Sequence, residues 1–157
     1  MTETTAAPLL SDLLEAFIDG YESAGFPQAT LANASAILME NVADINWAGF
    51  YLYDEKINEL ILGPFQGKIA TVHIKPENGV VGAAFTKQAT LVIANVHEFP
   101  GHIACDIASN AEIVIPITRA DGTKVGVLDI DSTKLARFSD QDQHDLEHFV
   151  DTLLKYI

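Results

Sequence analysis

The chain has 157 residues, about the length of one domain, and 48% hydrophobic with 20% charged residues is a globular composition. Its 9 Lys and Arg against 22 Asp and Glu give a net charge of −13, which argues against nucleic acid and anionic membrane surfaces as partners because both attract basic proteins. One cysteine excludes an intramolecular disulfide and a multi-cysteine metal site. With no basic leader and no membrane-length apolar run, we expect a cytoplasmic single domain over 1–157, frayed over 1–8.

The first half of the chain changes from helical to strand periodicity. Apolar residues at helical spacing predict a helix over 9–21 and a second over about 28–42, separated by Gly25-Phe26-Pro27. Alternation over 45–53 then predicts a strand that is partly covered on both faces. A turn at 54–56 and a return over 59–62 make a hairpin, and 70–74 is predicted as a further strand.

The second half combines short elements with one long irregular segment. The predicted elements are a short helix over 80–87, a short strand over 91–94, and strands over 112–118 and 124–131 joined by a turn at 120–122. Residues 95–110 show no regular pattern, and a loop of that length in a compact domain is often functional. Ser139 with Asp142 resembles a capping box and predicts the start of the last helix.

This order of elements predicts an α+β fold. Consecutive strands joined by hairpins give a largely antiparallel sheet, and the terminal helices can cover one of its faces. The other face must be covered by the middle of the chain. We expect a pocket on that side.

Cys105 lies within the long irregular segment, in the stretch PGHIACD. A lone cysteine is more often a small buried apolar residue than a nucleophile. A thiolate nucleophile needs a lowered pKa or a nearby base, and His97 and His102 are the local candidates. The sequence does not show whether either histidine faces the sulfur.

Three acidic residues are predicted to converge on one face of the sheet. Asp129 and Asp131 lie two apart on a strand and share a face with Val125 and Val127. In the hairpin closed at 120–122, Glu112 is opposite residues 129–131. Such a cluster suits an ammonium group or a metal ion, and it raises the pKa of at least one acid, which supplies a neutral proton donor.

Trp47 and Tyr51 are four residues apart on the first predicted strand and therefore share a face. A role in the core is the commoner one for such residues. The functional alternative is an aromatic wall for a small apolar group.

Five segments together resemble a known family: NWAGFYL at 46–52, LGPFQGK at 62–68, HEFPGHIACD at 97–106, SNAEIVIPI at 109–117 and GVLDIDS at 126–132. They resemble the free methionine-(R)-sulfoxide reductases, which are single-domain GAF proteins. The resemblance implies a GAF-like antiparallel sheet of about six strands with the N- and C-terminal helices on one face, in a protein that often dimerises through helices. It implies reduction of the free amino acid methionine (R)-sulfoxide in the cytoplasm, without a cofactor or metal.

The resemblance also assigns roles to the residues described above. The nucleophile falls on Cys105, and the aromatic residues around the methyl end of the substrate fall on Trp47 and Tyr51. The carboxylates of the pocket fall on Glu112, Asp129 and Asp131. Of these acids, Asp129 or Asp131 is expected to protonate the sulfoxide oxygen, while Glu112 helps to bind the ammonium group.

Two positions depart from the family pattern. Family members commonly carry cysteines where this chain has Thr71 and Val81, so the usual resolving cysteine is absent. Regeneration then needs an external thiol, which would be thioredoxin, glutaredoxin or a low-molecular-weight thiol. The alternative is a non-catalytic GAF module that only binds free methionine sulfoxide or a related ligand.

Overall fold

The structure, a computed structural model, describes residues 7–18, 27–101 and 108–157. Its first helices are α1 (Ala7–Ile18) and α2 (Pro27–Asn41), which match the first two predicted helices. The frayed segment expected over 1–8 overlaps the start of α1 at Ala7 and Pro8, and residues 1–6 lie outside the described part. The predicted continuation of the first helix from residue 19 to Tyr21 also lies outside it.

Six antiparallel strands form one sheet in the described part of the chain, in the order β3-β2-β1-β6-β5-β4. The strands are β1 (Trp47–Asp54), β2 (Glu59–Gln66), β3 (His73–Ile74), β4 (Leu91–Ile93), β5 (Ala111–Thr118) and β6 (Lys124–Ser132). The antiparallel α+β architecture predicted from the sequence is confirmed. Two strand lengths are wrong: β2 continues to Gln66, and only two residues of the predicted strand over 70–74 pair with it.

The remaining helices are α3 (Gly79–Lys87) and α4 (Asp140–Leu153). The predicted capping box begins α4: Ser139 Oγ accepts from the Asp142 backbone N at 3.1 Å, and Asp142 Oδ2 accepts from the Ser139 backbone N at 2.8 Å. A short 3₁₀ turn, Val96–Glu98, lies in the segment that was predicted to be irregular. Within the described residues, no helix is both long and apolar enough to cross a membrane.

One face of the sheet is covered by α1, α2 and α4. The apolar layer between them is continuous, and its largest fully buried side chains include Phe50, Phe149, Leu38 and Leu128. This confirms the prediction that the terminal helices pack on one face. We call it the helix face.

The opposite face is covered by α3 and by connections from the middle of the chain. Its apolar layer contains Trp47, Tyr51, Val114, Val127 and Phe85. This is the side on which a pocket was predicted, and we call it the site face.

A β-bulge in β6 decides which residues reach the site face. Gly126 pairs with Ile117 while Lys124 pairs with Thr118, so Val125 has no partner of its own on β5. Val125 packs with the helix-face cluster, and the prediction that it shares a face with Val127 is therefore wrong. Gly126 has φ +154°, and a Cβ there would lie 2.0 Å from the Tyr51 carbonyl oxygen, so the bulge requires glycine.

Candidate functional site

The register of β5 and β6 brings the three acids together. Glu112 is directly opposite Asp131, and Val114 is opposite Asp129. One carboxylate oxygen of each acid lies within 4.8 Å of the others. The side chains are buried, with exposed fractions of 4% for Glu112, 3% for Asp129 and 6% for Asp131. The predicted convergence is confirmed, and we call these residues the acid triad.

The register of β1 places the aromatic residues beside the acid triad. Trp47 is opposite Asp131, Gly49 is opposite Asp129, and Tyr51 is opposite Val127. Trp47 and Tyr51 therefore lie on the site face, as predicted, and their exposed fractions are 1% and 0%. They belong to the core of this layer as well as to the wall of the site.

Backbone carbonyls of the connection between β2 and β3 hold both aromatic side chains. Trp47 Nε1 donates to the Lys68 carbonyl at 3.0 Å, and the Tyr51 hydroxyl donates to the Thr71 carbonyl at 3.1 Å. These hydrogen bonds satisfy the polar ends of two rings that are otherwise buried. The connection is thereby fixed over the site face.

Phe65 is a member of the aromatic wall that the sequence reasoning missed. Its ring stacks on Trp47 with centroids 5.2 Å apart and planes 14° from parallel, and Trp47 stacks on Tyr51 at 6.0 Å and 22°. Phe65 is opposite Gly49 in the β1–β2 pair. Because β2 was predicted to end at residue 62, Phe65 was not placed on a strand, although it lies in the LGPFQGK segment.

Two glycines make room for the indole ring. A Cβ at Gly49 would lie 2.3 Å from Phe65 Cβ and 2.9 Å from Trp47 Cη2, and a Cβ at Gly67 would lie 2.5 Å from Trp47 Cδ1. Gly67 also has φ +132°, a conformation that other residues rarely adopt. The shape of the wall therefore depends on glycine at both positions.

Burial strongly favours the neutral form of Glu112. The pKa of Glu112 is raised well above its ordinary 4.5, first by desolvation, then by the negative charges of Asp129 and Asp131, and then by hydrogen bonds with the same two aspartates. Burial also raises the pKa of Asp129 from 3.8 to about 6, against the lowering effect of its hydrogen bond with Glu112. Both shifts favour the neutral form of these carboxyls over their charged form.

The triad also offers a ligand carboxylate oxygens that can accept hydrogen bonds. Asp129 Oδ1 is buried and accepts no hydrogen bond from the part of the chain that the structure describes. Such an atom is costly unless a donor or a cation reaches it. Three carboxylates at this spacing suit an ammonium group, and oxygen ligands of this kind also suit a hard metal cation. The aromatic wall beside them suits an apolar group joined to an ammonium.

The predicted nucleophile Cys105 lies outside the described residues, and so does His102. The other candidate base, His97, is described, and its Nε2 lies 2.9 Å from Asn110 Oδ1. Of the two positions that depart from the family pattern, Val81 is buried in α3 and Thr71 is exposed. The described chain resumes at Ala108, three residues after Cys105.

Comparisons with known proteins show what this chain is similar to. A GAF domain family model matches residues 28–154. The chain is 52% identical over 129 residues to the free methionine-R-sulfoxide reductase of Escherichia coli (strain K12), covering 82% of this chain and 76% of that protein. The structure of fRMsr of Staphylococcus aureus in complex with substrate superposes with a TM-score of 0.88 at 44% identity, over 99% of this chain and 98% of that one. The free methionine-R-sulfoxide reductase from Neisseria meningitidis, also with its substrate, gives 0.86 at 36% identity, over 99% and 95%.

Proposed function

The chain belongs to the free methionine-R-sulfoxide reductase family of GAF-domain proteins, and on that premise we propose that it reduces free methionine (R)-sulfoxide to methionine. Cys105 is the thiol nucleophile in this proposal, and an external thiol is the reductant. The observation that carries it is the buried acid triad directly beside an aromatic wall. These two features match the two ends of a small amino acid.

The triad supports binding of the ammonium group of the substrate. Asp129 Oδ1 needs a donor, and an ammonium has three N–H groups to offer. Methionine within a polypeptide has an amide in place of that ammonium. The site should therefore be selective for the free amino acid.

The aromatic wall supports binding of the methyl sulfoxide end. Trp47 is next to Asp131 across the sheet, so the apolar wall and the acids are contiguous. A substrate that places its methyl group against Trp47 and Tyr51 brings its sulfoxide oxygen to the edge of the triad. Asp129 or Asp131 then donates a proton to this oxygen, while Glu112 helps to bind the ammonium group.

The reduction transfers the oxygen of the sulfoxide to the thiol. The Cys105 sulfur attacks the sulfoxide sulfur, the S–O bond of the sulfoxide breaks, and the protonated oxygen ends on the Cys105 sulfur. The products are methionine and a Cys105 sulfenic acid, so the sulfoxide is reduced by two electrons and the thiol is oxidised by two. Cys105 precedes Ala108 by three residues, and three residues of extended chain span at most about 11 Å. Ala108 leads into β5, which carries Glu112.

Regeneration requires two external thiols because the chain has one cysteine. The first thiol condenses with the sulfenic acid, releases water and forms a mixed disulfide. A second thiol attacks that disulfide and restores the Cys105 thiol. Thioredoxin, glutaredoxin and low-molecular-weight thiols are the candidates. A homodimer formed through the helices and a cytoplasmic location remain predictions, and the molar mass in solution tests the first.

The test is turnover of free methionine (R)-sulfoxide by the full chain, first with dithiothreitol and then with thioredoxin. We expect methionine from the free amino acid and none from the N-acetylated sulfoxide, which lacks the ammonium. Equal rates for both substrates would contradict the role of the triad. If the chain bound the sulfoxide tightly but formed no methionine with any thiol, it would instead be a non-catalytic binding module.

A further inference from the structure

An irregularity in β2 turns Phe65 toward the site face. In the pairing with β1, Leu62 is opposite Tyr51, and the next regular pair joins Phe65 to Gly49, so two residues of β2 stand against one of β1. Residues three apart on a regular strand lie on opposite faces. The extra residue brings them to the same face, and both Leu62 and Phe65 pack in the apolar layer of the site face.

Ser35 on α2 holds this irregularity from the helix face. Its buried hydroxyl donates to the Pro64 carbonyl at 3.2 Å and shares its proton with the Leu31 carbonyl at 2.9 Å. A Cβ at Gly63 would lie 3.2 Å from the Phe50 carbonyl oxygen, so β1 and β2 approach each other closely at this point. The main chain that leads into Phe65 is therefore fixed by its neighbours.

The Trp47 indole is held by contacts with several parts of the fold. Phe65 and Tyr51 both stack on it, and its Nε1 donates to the Lys68 carbonyl. The backbone of Gly49 passes so close to the indole that a Cβ there would lie 2.9 Å from the ring. An indole that is stacked against two rings and hydrogen-bonded at its nitrogen cannot tilt to enlarge the space in front of it.

We propose that Phe65 is a positioning residue that fixes the Trp47 indole and so restricts the S-alkyl group of the sulfoxide substrate to methyl. The proposal deepens the proposed function and rests on it, because that function places the methyl group of the substrate against Trp47. A longer S-alkyl group needs the aromatic wall to retreat. One extra methylene in a hydrophobic pocket is worth about 10- to 200-fold in discrimination between substrates.

The experiment compares free methionine (R)-sulfoxide with its S-ethyl homologue, ethionine (R)-sulfoxide, as substrates of the full chain with dithiothreitol. In the unaltered chain, kcat/KM should favour the methyl substrate by about 10-fold or more. Phe65→Leu and Phe65→Met remove the stacked ring and keep an apolar side chain at a half-buried position. Each should lower this preference by about 5-fold. Phe65→Tyr keeps the ring and should retain the preference.

A spectroscopic measurement follows the indole itself. The chain has one tryptophan, so its intrinsic tryptophan fluorescence reports on Trp47 alone. Quenching of this fluorescence by acrylamide should increase in Phe65→Leu and Phe65→Met, because an indole that can tilt also gains contact with solvent. It should stay unchanged in Phe65→Tyr.

Phe85→Leu is the matched control. Phe85 is a buried aromatic residue of the same apolar layer, and its ring packs on that of Tyr53 with centroids 4.6 Å apart. The control therefore loses a buried ring from the site face without removing a ring that stacks on Trp47. It should keep both the substrate preference and the quenching of the unaltered chain.

The outcomes separate the two proposals. No methionine from the unaltered chain with any thiol would overturn the proposed function, and the role of Phe65 in substrate selection with it. Normal turnover by the unaltered chain with an unchanged preference in Phe65→Leu and Phe65→Met would overturn the positioning role alone. An equal loss of preference in Phe85→Leu or in Phe65→Tyr would also overturn it, because the ring stacked on Trp47 would then not be the cause.

Discussion

The two faces of the sheet are built from the same strands but perform opposite tasks. On β6, Leu128 and Ile130 point to the helix face and join a continuous apolar layer. Their neighbours Asp129 and Asp131 point to the site face, where each carboxylate is at least nine-tenths buried. The alternation of one strand thus places stabilising side chains on one face and costly ones on the other. Burying the carboxylates of the site face costs stability, and the apolar layer of the helix face offsets that cost.

The largest expected effect is on the chemistry of the site face. Cys105→Ser should abolish methionine formation because a serine hydroxyl, unlike a thiol, cannot take up the sulfoxide oxygen and form a sulfenic acid. The pre-reduced unaltered chain without external thiol should form at most one methionine per chain, since it has one cysteine. Intact mass after one equivalent of substrate, with a sulfenic-acid trap present, should show the adduct only in the unaltered chain. Normal turnover by the serine variant would show that the catalytic interpretation is wrong.

On the helix face, Phe149→Ala should lower the free energy of unfolding by about 3–5 kcal/mol, because it leaves a cavity at a fully buried ring. The single-turnover rate of the remaining folded protein at low temperature should be unchanged. Phe17→Ala on α1 is the matched control: Phe17 is 65% exposed, and the expected change is within about 0.5 kcal/mol. Denaturant titration measures both. Equal losses of unfolding free energy in Phe149→Ala and Phe17→Ala would contradict the assignment of the buried helix face as the main source of stability.

On the site face, Asp129→Asn and Asp131→Asn should separate proton donation from binding. The variant that loses the general acid should show a single-turnover rate lower by about 100-fold or more. A variant whose loss lies only in the half-saturating substrate concentration identifies an acid that binds the ammonium. Asp151→Asn on α4 removes the same charge at an exposed position and should change neither. Two fully active asparagine variants would remove the triad from the mechanism.

The smallest expected effect is the change in the free energy of unfolding caused by Glu112→Gln. Unlike most substitutions of buried residues, this one should stabilise the fold. A carboxyl whose pKa is raised by folding binds a proton that the unfolded chain has released, so stability is lost as the pH rises through that interval. For Asp129 the interval runs from 3.8 to about 6, and for Glu112 it begins at 4.5 and extends further upward. Glu112→Gln should therefore raise the free energy of unfolding at pH 7, by on the order of 1 kcal/mol.

The same substitution should flatten the dependence of stability on pH. The control is Glu77→Gln, which removes an equal charge from an exposed residue and leaves the repulsion among the other acids nearly the same. Thermal unfolding between pH 5 and pH 8 compares the two variants with the unaltered chain. Parallel curves for all three would show that Glu112 does not hold the proton.

Local patterns in the sequence were sufficient to predict the pairing of the acids. The turn at 120–122 closes a hairpin, and counting outward from it places Glu112 opposite 129–131 without any knowledge of the rest of the fold. The count gave the correct pairing despite the bulge at Gly126: in the observed register, Glu112 is opposite Asp131. The same bulge made the assignment of Val125 wrong, since a single extra residue reverses the face of every residue on one side of it.

The extent of β2 shows what local propensity could not predict. Gly63 and Pro64 interrupt the pattern that predicts a strand, yet β2 continues to Gln66 because β1 pairs with it on both sides of the irregularity at these two residues. That pairing places Phe65 above Gly49 and completes the aromatic wall. The position of Phe65 depends on a contact between strands, which no window of the sequence contains.

By itself, the sequence determined the α+β class, the two faces of β6 and the residues that converge there, because strand alternation and hairpin closure are properties of short segments. Tertiary structure alone decided what those residues can do. The pKa of Glu112 is raised because burial removes water from the triad and because two aspartates stand beside it. His97 Nε2 lies 2.9 Å from Asn110 Oδ1 because the chain returns, after the long irregular segment, to the start of the strand that carries Glu112. Burial and return contacts join residues distant in sequence, and their physical consequences appear only when the sheet is assembled.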